Sequence, residues 1–474
     1  LQQLAVEPGS RVLLMLPRVI AWWEVMLGLE KARLVAIPAT TLLTPSDIEY
    51  RIRRAEVAVV LTDACGAEKV DQIPHLSGQL DHKILVGEDP PRNDWLSYQD
   101  LLTAARPQPP DLTNSSDQPA LIYFTSGTTG PPKMVTHSHA SYGFAHRTTG
   151  HCWLDLSPED LHWNLSDTGW AKAAWSSLFG TWHCGATLFV RESPGRFDPQ
   201  DVLACLSQYP ITTMCAAPTV YRLLVQQDLQ RFQPAALRHC VAAGEPLDAA
   251  TIHTWQEATG VTIRDGYGQT ESVLLCGNYP GVPVKPGSMG LPAPGIELAV
   301  IDPAGNVAPT GTPGDLAVRT GQHRPLGLFH GYWHDEPATT RCFRNGWYVT
   351  GDSAYTDEDG YFWFVGRADD IITSSAYRIG PFEVESALVA HPAVAEAAVV
   401  GKPDALRGEV VKAFVLLASG YTASDALVNE LQQFVKTTTA PYKYPREIEF
   451  VDALPKTVSG KIRRAELRGA TGAG

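Results

Sequence analysis

The segment that decides the fold is TSGTTGPPK, residues 125–133, which directly follows the apolar run ALIYF at residues 120–124. An apolar, β-prone run that ends in hydroxyls, glycines and a lysine predicts a strand feeding a mobile loop whose N–H groups, hydroxyls and ammonium face one anion. The simplest anion of that kind is a polyphosphate. The segment is not a Walker A sequence, because Gly127 and Gly130 lie too close together and two prolines precede Lys133. Taken alone, the segment is equally compatible with an exposed turn, since Gly, Thr, Ser and Pro are also turn residues.

The overall composition limits the classes of function. The chain has 474 residues, of which 44% are hydrophobic, and a formal net charge of −13 at pH 7. This length predicts a globular protein with about three domains' worth of material. The negative charge argues against a general nucleic-acid binder and a polybasic membrane binder, so no nucleic-acid partner is expected. The exception is the basic segment, residues 436–468, which has eight basic and four acidic side chains.

The cysteines, the apolar runs and the first residue together indicate a cellular compartment. The eight cysteines are scattered without a C-x-x-C pair, which argues against a zinc site or a disulfide framework and favours a reducing compartment. The longest apolar runs are too short for a membrane span, so no integral membrane segment is expected. The first residue is Leu rather than Met, which predicts an N-terminal truncation that removes any targeting peptide. We expect an intracellular protein, in the mitochondrial matrix if eukaryotic and cytoplasmic if bacterial, and the oligomeric state stays open.

The alternation of apolar patterns predicts an α/β fold. Strand-like and helix-like stretches alternate over residues 11–61 and again over residues 171–258, which indicates parallel sheets covered on both faces by helices. Gly, Pro and short apolar runs dominate residues 280–346 and predict a small antiparallel β-barrel, placed at about residues 280–350. A compact α+β unit follows. We therefore predict an N-terminal lobe over residues 1–366 and a C-terminal domain over residues 367–474.

Four further segments join the first one and follow it in a fixed order: DGYGQTE at 265–271, YVTGD at 348–352, GRADDIITSSAYRIG at 366–380 and PKTVSGKIR at 455–463. With these five motifs the chain resembles the adenylate-forming superfamily, which includes acyl-CoA synthetases, peptide-synthetase adenylation domains and firefly luciferase. The strings SSAYRIGPFEVESALV, RGEVVKAFV and TAPYKYPREIEFV look most like the medium-chain acyl-CoA synthetases. The resemblance covers essentially the whole chain.

The resemblance implies both a fold and a reaction. The expected fold is a large N-terminal lobe of two helix-covered parallel sheets plus a small barrel, followed by a small mobile C-terminal domain. The expected enzyme is an acid-thiol ligase that uses ATP and Mg²⁺ to convert a medium-chain or aromatic carboxylic acid to acyl-AMP and pyrophosphate. It then transfers the acyl group to coenzyme A. The partners are thus the small-molecule acid, ATP and coenzyme A.

The resemblance also places ATP against particular residues. The phosphate loop, which holds the β- and γ-phosphates, consists of Thr125, Ser126, Gly127, Thr128, Thr129, Gly130, Pro131, Pro132 and Lys133. The adenine slot is formed by Gly244, Glu245, Pro246, Asp265, Gly266 and Tyr267, and Gly268 and Gln269 complete this part of the nucleotide site. The ribose and α-phosphate contacts fall to Asp352, Arg367, Arg378 and Lys461, with Lys461 bridging the carboxylate and the α-phosphate during adenylation.

By the resemblance, the two residues at the end of DGYGQTE and Lys461 are the catalytic residues. By the resemblance, Thr270 contacts the α-phosphate and Glu271 binds Mg²⁺ through its carboxylate, the ligand type that hard cations prefer. The alternative is that Glu271 is merely an acidic residue at a helix N-terminus and Thr270 is its cap.

The remaining assignments concern coenzyme A, the acyl group and the hinge. The coenzyme A contacts carry onto Ser375, Ala376, Tyr377, Arg407, Lys436, Tyr444, Pro445 and Arg446, whose cations suit a phosphorylated nucleotide. Asp369 lies where the family has its hinge. Trp170 is either part of the acyl pocket or an ordinary core tryptophan. Leu43 falls where related enzymes offer a polar contact to coenzyme A, which leaves that contact open.

Two alternatives to the lead function stay open from the sequence. The first keeps the adenylation but passes the acyl group to a carrier-protein phosphopantetheine. The second is a catalytically silent scaffold of the same fold. The silent scaffold is disfavoured, because Lys133, Glu271, Asp352, Arg367 and Lys461 are all present with the expected chemistry.

Overall fold

A computed structural model describes most of the chain. The described residues are 1–74, 76, 78–87, 92–106, 115–125, 132–192, 197–321, 324–374, 377–404, 407–457 and 461–470, without the side chains of Ala368, Arg378 and Ala470. No helix within these ranges is both long and apolar enough to cross a membrane.

The strands, numbered in chain order, are β1 (Arg11–Met15), β2 (Val35–Pro38), β3 (Val57–Thr62), β4 (His82–Leu85), β5 (Leu96–Ser97), β6 (Pro119–Thr125), β7 (Lys133–Ser138), β8 (Leu161–Asn164), β9 (Thr187–Leu188), β10 (Thr213–Ala216), β11 (His239–Ala243), β12 (Ile263–Gly268), β13 (Leu274–Gly277), β14 (Leu291–Pro292), β15 (Leu298–Ile301), β16 (Gly314–Arg319), β17 (Gly331–Tyr332), β18 (Phe343–Arg344), β19 (Trp347–Thr356), β20 (Phe362–Arg367), β21 (Ile372–Ser374), β22 (Tyr377–Ile379), β23 (Val394–Asp404), β24 (Gly408–Leu417) and β25 (Glu447–Phe450).

The α-helices are α1 (Ile20–Ala32), α2 (Pro45–Arg54), α3 (Ala64–Asp71), α4 (Tyr98–Ala104), α5 (His146–Thr148), α6 (Ala171–Ala174), α7 (Gly180–His183), α8 (Pro199–Gln208), α9 (Pro218–Val225), α10 (Ala249–Thr259), α11 (Glu336–Arg341), α12 (Pro381–Val389), α13 (Asp425–Thr438) and α14 (Arg464–Ala470). Wider π-helical turns, His139–Phe144 and Thr149–Trp153, flank α5, and Trp175–Phe179 joins α6 to α7. Short 3₁₀ turns occur at Gln2–Leu4, Ala368–Asp370 and Pro441–Lys443. Helix α2 begins with a capping box between Thr44 and Asp47, and Pro45 occupies its first position.

Two largely parallel sheets form the large lobe. The first sheet has the strand order β17-β7-β6-β2-β1-β3-β4-β5, and the second has the order β14-β13-β12-β11-β10-β8-β9. The pairs from β6 to β5 and from β12 to β9 are parallel, while the outer strands β7, β17, β13 and β14 are added in antiparallel pairs. The predicted fold class is therefore confirmed for this lobe.

The largest apolar core joins the first and second sheets. It contains Leu14 and Tyr123 of the first sheet, Val241 of the second sheet, and Trp153 and Trp175 of the helical segments between them. Each such side chain contributes about 1.5–3 kcal/mol when it is fully withdrawn from water. This shared core fixes the two sheets relative to each other, and with them the strand ends that carry the motifs.

The predicted barrel is a curled antiparallel sheet of five strands. Its order is β15-β16-β19-β18, and β20 pairs with the second half of β19. Its core includes Val135 of β7 and Leu275 of β13, so this third sheet packs against both parallel sheets. The hairpin β19–β20 thereby comes to lie beside strand β7 and the end of β12.

The small C-terminal part is an α+β unit. Strands β22, β21, β24 and β23 are antiparallel neighbours, and β25 pairs with β24 in parallel. Helices α12 and α13 cover this fourth sheet with buried residues such as Leu388 and Leu431.

Candidate active site

The motifs converge where parallel strands end. Strand β6 ends at Thr125, β11 ends just before Gly244, and β12 ends at Gly268. The register of the β6–β7 hairpin places Thr125 directly opposite Lys133. Carboxyl ends of neighbouring parallel strands meet at one edge of a sheet, which is the usual position of a ligand site in α/β folds.

Asp352 is the centre of a dense hydrogen-bond network. The residue is 4% exposed, and its Oδ2 accepts from the Tyr267 hydroxyl and from Gln269 Nε2, the latter at 2.7 Å. Gln269 in turn donates to the carbonyl of Thr350 at 2.9 Å and accepts from the Tyr348 hydroxyl at 2.9 Å. The motifs DGYGQTE and YVTGD are therefore joined through side chains, and the Asp352 carboxylate is held in one orientation.

Arg367 completes this network from the next strand. Residues 352 and 367 are register partners in the β19–β20 hairpin, and Arg367 Nη1 donates to Asp352 Oδ1 at 3.0 Å. Burial by itself lowers the pKa of Arg367, but the neighbouring carboxylate outweighs burial, so the pKa of the guanidinium is raised. Burial and the Asp352 charge also raise the pKa of the Tyr267 hydroxyl, which keeps it protonated as a donor.

Glu271 lies in a second group of charged and aromatic side chains. Its Oε1 accepts from the Tyr332 hydroxyl at 2.9 Å, and Lys133 Nζ lies 4.7 Å from the centre of the Tyr332 ring. Strand β17 carries Tyr332 and pairs with β7 just after Lys133, which explains the proximity. Burial raises the pKa of the Glu271 carboxyl, although Tyr332, Arg367 and Lys133 oppose that shift.

Thr270 is held through its backbone. The ring of His137 on β7 hydrogen-bonds through Nε2 to the Thr270 carbonyl at 2.7 Å, and its Nδ1 lies 3.1 Å from Ser141 Oγ. Burial lowers the pKa of His137 to about 4, so this ring is neutral at pH 7. No helix begins at Thr270 within the described residues: β12 ends at Gly268 and β13 begins at Leu274. The helix-cap alternative for this pair is therefore wrong.

The proposed adenine slot follows β11. Glu245 Oε2 accepts from Thr219 Oγ1 at 2.9 Å and from Arg222 Nη1 at 3.4 Å, so its carboxylate is engaged on the α9 side. Asp265 is 5% exposed and accepts from the N–H of Gly266 at 3.0 Å. Burial raises the pKa of the Asp265 carboxyl well above its usual range.

Part of the predicted site lies outside the described residues: Ser126, Gly127, Thr128, Thr129, Gly130 and Pro131 of the phosphate loop, and Ser375 and Ala376 of the coenzyme A set. Pro132 is described, and its carbonyl accepts from the Tyr50 hydroxyl at 3.2 Å. Arg378 is placed by its backbone alone, opposite Thr373 in the β21–β22 hairpin.

Lys461 lies on a hairpin of the small C-terminal part. The N–H of Thr457 donates to the Lys461 carbonyl at 2.7 Å, and Lys461 N donates to Thr457 Oγ1 at 3.1 Å. The Lys461 side chain is exposed, and its charge is one of the causes that lower the pKa of Lys172 in the large lobe. Lys461 therefore lies within electrostatic reach of Lys172, next to the end of β11.

Ion pairs divide the basic segment, residues 436–468, into two groups. Five of its eight basic side chains pair with carboxylates, namely Lys443 with Glu383, Lys456 with Glu396, Arg463 with Glu466, Arg464 with Glu385 and Arg468 with Asp370. Among the described residues, the remaining Lys436, Arg446 and Lys461 have no carboxylate partner.

Two of these unpaired cations flank one aromatic ring. Lys436 Nζ lies 4.1 Å from the centre of the Tyr444 ring, and the Arg446 guanidinium carbon lies 5.0 Å from it. Arg446 Nη1 also donates to the Tyr444 hydroxyl at 2.9 Å. The structure thus brings together three of the predicted coenzyme A residues, with buried Pro445 between the last two.

The other predicted coenzyme A residues have different contacts. The exposed ring of Tyr377 stacks on Tyr442 with a centroid distance of 4.2 Å, and the N–H of Arg407 donates to Asp404 at 2.8 Å. Leu43 is 3% exposed and packs in the core on one face of the first sheet, so it makes no polar contact.

Trp170 and Asp369 are both at least partly exposed to solvent. Trp170 is half-buried at the N-cap of α6 and is not one of the fully buried tryptophans of the described core. Asp369 is exposed in the 3₁₀ turn between β20 and β21, where its carbonyl accepts from Arg468 at 2.9 Å. That turn is the short connection between the third and fourth sheets.

Several site residues were missed by the sequence reasoning. Tyr348 and Thr350 lie inside the quoted YVTGD motif and were passed over in favour of Asp352. Tyr332 and His137 lie outside every motif, and the sequence carries no signal for them, because only the pairing of β17, β7 and the turn after β12 brings them to Glu271 and Thr270.

Comparisons with known proteins agree with this arrangement. The AMP-binding enzyme family matches residues 1–333, and the AMP-binding enzyme C-terminal domain matches residues 383–461. Human acyl-coenzyme A synthetase ACSM3, mitochondrial, is 48% identical over 466 residues, which is 98% of this chain and 79% of that protein. Rat acyl-coenzyme A synthetase ACSM5, mitochondrial, is 48% identical over 465 residues, with 98% and 80% coverage.

A solved structure extends the likeness to the fold. The anthranilate CoA ligase AuaEII in complex with anthranoyl-AMP superposes with a TM-score of 0.90 at 32% identity, covering 99% of this chain and 89% of that chain. The family matches span both lobes and include TSGTTGPPK and DGYGQTE in full and PKTVSGKIR in part. The chain belongs to the AMP-binding enzyme family. The superfamily resemblance read from the sequence is therefore confirmed.

Proposed function

We propose that the chain is an AMP-forming acyl-coenzyme A synthetase for a medium-chain or aromatic carboxylic acid. The observation that carries the proposal is the pattern of ion pairs in the basic segment, where five of the eight basic side chains pair with carboxylates. Within the part of the chain that the structure describes, three of its cations have no carboxylate partner, Lys436, Arg446 and Lys461, and these are the three that the resemblance assigns to coenzyme A and to catalysis. Relatives at 47–48% identity that are named acyl-coenzyme A synthetases support the same reaction.

The first half-reaction joins the acid to AMP. A carboxylate oxygen attacks the α-phosphorus of ATP, the bond to the bridging oxygen breaks, and pyrophosphate leaves. Lys461 supplies a compact cation where negative charge accumulates on the α-phosphate, and Thr270 contacts the same group. Asp352 accepts from the ribose hydroxyls, and its three side-chain donors hold it in place for that purpose.

Mg²⁺ fits the residues around Glu271. The cation usually binds through one or two carboxylates together with substrate phosphates rather than in a cage of protein ligands. Glu271 offers one such carboxylate, oriented by Tyr332 at 2.9 Å, beside the phosphate-loop Lys133. When bound, the cation neutralises phosphate charge. Glu271 is the residue of this chain that would hold it.

The second half-reaction transfers the acyl group. The thiol of coenzyme A attacks the acyl carbonyl, the mixed anhydride breaks, and AMP leaves. Lys436 and Arg446, flanking Tyr444, form a cationic and aromatic surface suited to the phosphorylated adenosine end of coenzyme A. Tyr377 and Arg407 belong to the same proposed contact set.

A rotation of the small domain would separate the two half-reactions. We place the boundary between residues 366 and 367 and the pivot at Asp369, in the 3₁₀ turn Ala368–Asp370. Lys461 and the pair Lys436 and Arg446 lie in different segments of the small domain, so one rotation about this turn can withdraw Lys461 from the acyl group and bring in the surface proposed to bind coenzyme A. A mitochondrial location is proposed from the relatives that are named mitochondrial.

The test is a panel of acids from acetate to decanoate, with benzoate, assayed for pyrophosphate release and for thioester formation. The lead proposal expects both products with free coenzyme A. Pyrophosphate release without a coenzyme A thioester, but with acylation of a phosphopantetheine carrier protein, would favour the carrier alternative. A chain that releases no pyrophosphate with any acid would be a silent scaffold.

A further inference from the structure

Lys172 is a cation of the large lobe that none of the motifs includes. It is the second residue of α6, and its Nζ donates to the carbonyl of Ala243, the last residue of β11. A Cβ placed on Gly244 would lie 3.1 Å from that Nζ. The ammonium therefore lies against the backbone turn that follows β11, at the edge of the site described above.

The groups around the Lys172 ammonium do not fully compensate its positive charge. Burial lowers the pKa of Lys172, and so does the positive charge of Lys461, while Cys215, Glu245 and Asp265 act in the opposite direction. Both carboxylates near Lys172 are engaged elsewhere: Glu245 accepts from Thr219 and Arg222, and Asp265 accepts from Gly266.

Lys172 thus has spare donors. An ammonium carries three N–H donors, and in the described part of the chain its single hydrogen-bond acceptor is a neutral carbonyl. Lys172 is half-buried, and partly withdrawing a cation from water without a carboxylate partner has a cost that falls when an anion binds. The geometry is that of a site that receives an anionic ligand.

The acid is the ligand that fits this position. Helix α6 begins directly after Trp170, and the following residues Ala173, Ala174 and Trp175 are buried in the core between the first and second sheets. Apolar side chains next to one half-buried cation match a molecule with an alkyl or aryl body and one carboxylate. The triphosphate has its own cation, since Lys133 lies beside Glu271 and Tyr332.

Resting on the function proposed above, we infer that Lys172 binds the carboxylate of the acid substrate before adenylation. Lys461, whose charge acts on Lys172 from the small domain, then faces the same carboxylate from the opposite lobe. Formation of the acyl-adenylate converts the carboxylate to an uncharged acyl group. Lys172 therefore matters for capture of the acid and much less for the attack by coenzyme A.

Lys172→Met tests the inference, because methionine keeps the length of the side chain and removes the charge. The KM for octanoate or benzoate should rise about 10- to 100-fold, the usual effect of losing a hydrogen bond to a charged group. The KM for ATP, and thioester formation from synthetic acyl-adenylate, should change less than about twofold. Lys83→Met is the matched control, since Lys83 pairs with Asp71 at the far edge of the first sheet.

Two results would overturn the inference. One is an unchanged KM for the acid in Lys172→Met. The other is a lowered Tm with equal slowing of both half-reactions, which indicates a structural lysine. Lys172→Arg, which keeps the charge, is the second variant: it should retain acid affinity, and a loss of acid affinity equal to that of Lys172→Met also counts against the inference.

A direct measurement of acid binding distinguishes a failure of this inference from a failure of the proposed function. Equilibrium dialysis of radiolabelled octanoate and benzoate needs no turnover. Retention by the wild type and loss in Lys172→Met supports the carboxylate site even when no pyrophosphate is released. Equal retention by both proteins overturns it even when the wild type is an active synthetase.

Discussion

The Asp352 network and the basic segment, residues 436–468, differ in whether their charged side chains are buried and paired. Asp352 is 4% exposed and accepts hydrogen bonds from the side chains of Tyr267, Gln269 and Arg367. Lys461 and Arg446 are exposed, and neither has a carboxylate partner in the described structure. The large lobe thus holds a preorganised acceptor for the nucleotide, whereas the small domain presents cations whose partners are substrates.

The difference follows from solvation. A buried carboxylate must be paired, because water no longer stabilises its charge. An exposed cation remains hydrated and can stay unpaired at little cost. Substitutions in the Asp352 network should therefore affect nucleotide binding and stability together, while substitutions of the unpaired cations should affect one half-reaction each.

Lys461→Ala should give the largest effect. Acyl-adenylate formation should fall about 10²- to 10³-fold, because a cation is removed from developing charge. Thioester formation from supplied acyl-adenylate and coenzyme A should continue at nearly the wild-type rate. Lys456→Ala in the same motif is the control, since Lys456 pairs with Glu396. Single-turnover measurements of both steps would contradict the proposed division of labour if the two steps slowed equally.

Asp352→Asn should be next. An amide cannot accept from Tyr267, Gln269 and Arg367 as a carboxylate does, so the KM for ATP should rise about 10- to 100-fold. Thermal stability should fall as well, since Arg367 is left without its counter-charge. Asp315→Asn is the matched control in the same sheet, where Asp315 pairs with Arg344. An unchanged KM for ATP with lowered stability would show that the network is only structural.

Glu271→Gln should raise the Mg²⁺ concentration needed for pyrophosphate release by about tenfold, because the amide loses its attraction for the cation. Tyr332→Phe keeps the carboxylate and removes only its orienting donor, so its shift should be smaller. Magnesium titrations of both variants make this comparison. Equal Mg²⁺ dependence in wild type and Glu271→Gln would exclude Glu271 from the metal site.

The same substitution predicts a pH effect. Burial raises the pKa of Glu271 above the ordinary value of 4.5, so the folded state binds this proton more tightly than the unfolded state does. The stability that this group contributes is present below pH 4.5. It is lost as the pH rises from 4.5 through the higher pKa of the folded state. Without Mg²⁺, wild type should lose stability relative to Glu271→Gln over that interval in urea titrations at stepped pH.

Arg446→Gln should have the smallest effect. A single exposed cation contributes little, so the KM for coenzyme A should rise only about threefold to tenfold, with adenylation unchanged. Lys443→Gln is the control in the same segment, because Lys443 already pairs with Glu383. Equal effects of the two variants on coenzyme A would mean that net charge, rather than an unpaired cation, determines binding.

The sequence by itself determined the family, the alternation that gives two parallel sheets, and the residue types of the site. Those features are local: TSGTTGPPK, DGYGQTE and PKTVSGK each carry their chemistry within a few residues. The start of α2 can also be predicted from the sequence, because its capping box and its proline lie within four consecutive residues.

Only the tertiary structure decided which charges are paired. Tyr332 meets Glu271 across 61 residues, and Lys172 meets Ala243 across 71, through strand pairing and a shared core that no local pattern encodes. The basic segment showed an excess of positive charge in the sequence, but the three unpaired cations emerged only when Glu383, Glu385, Glu396, Asp370 and Glu466 were placed beside the others. Whether a charge is available to a ligand depends on its neighbours in space, and long-range packing sets those neighbours.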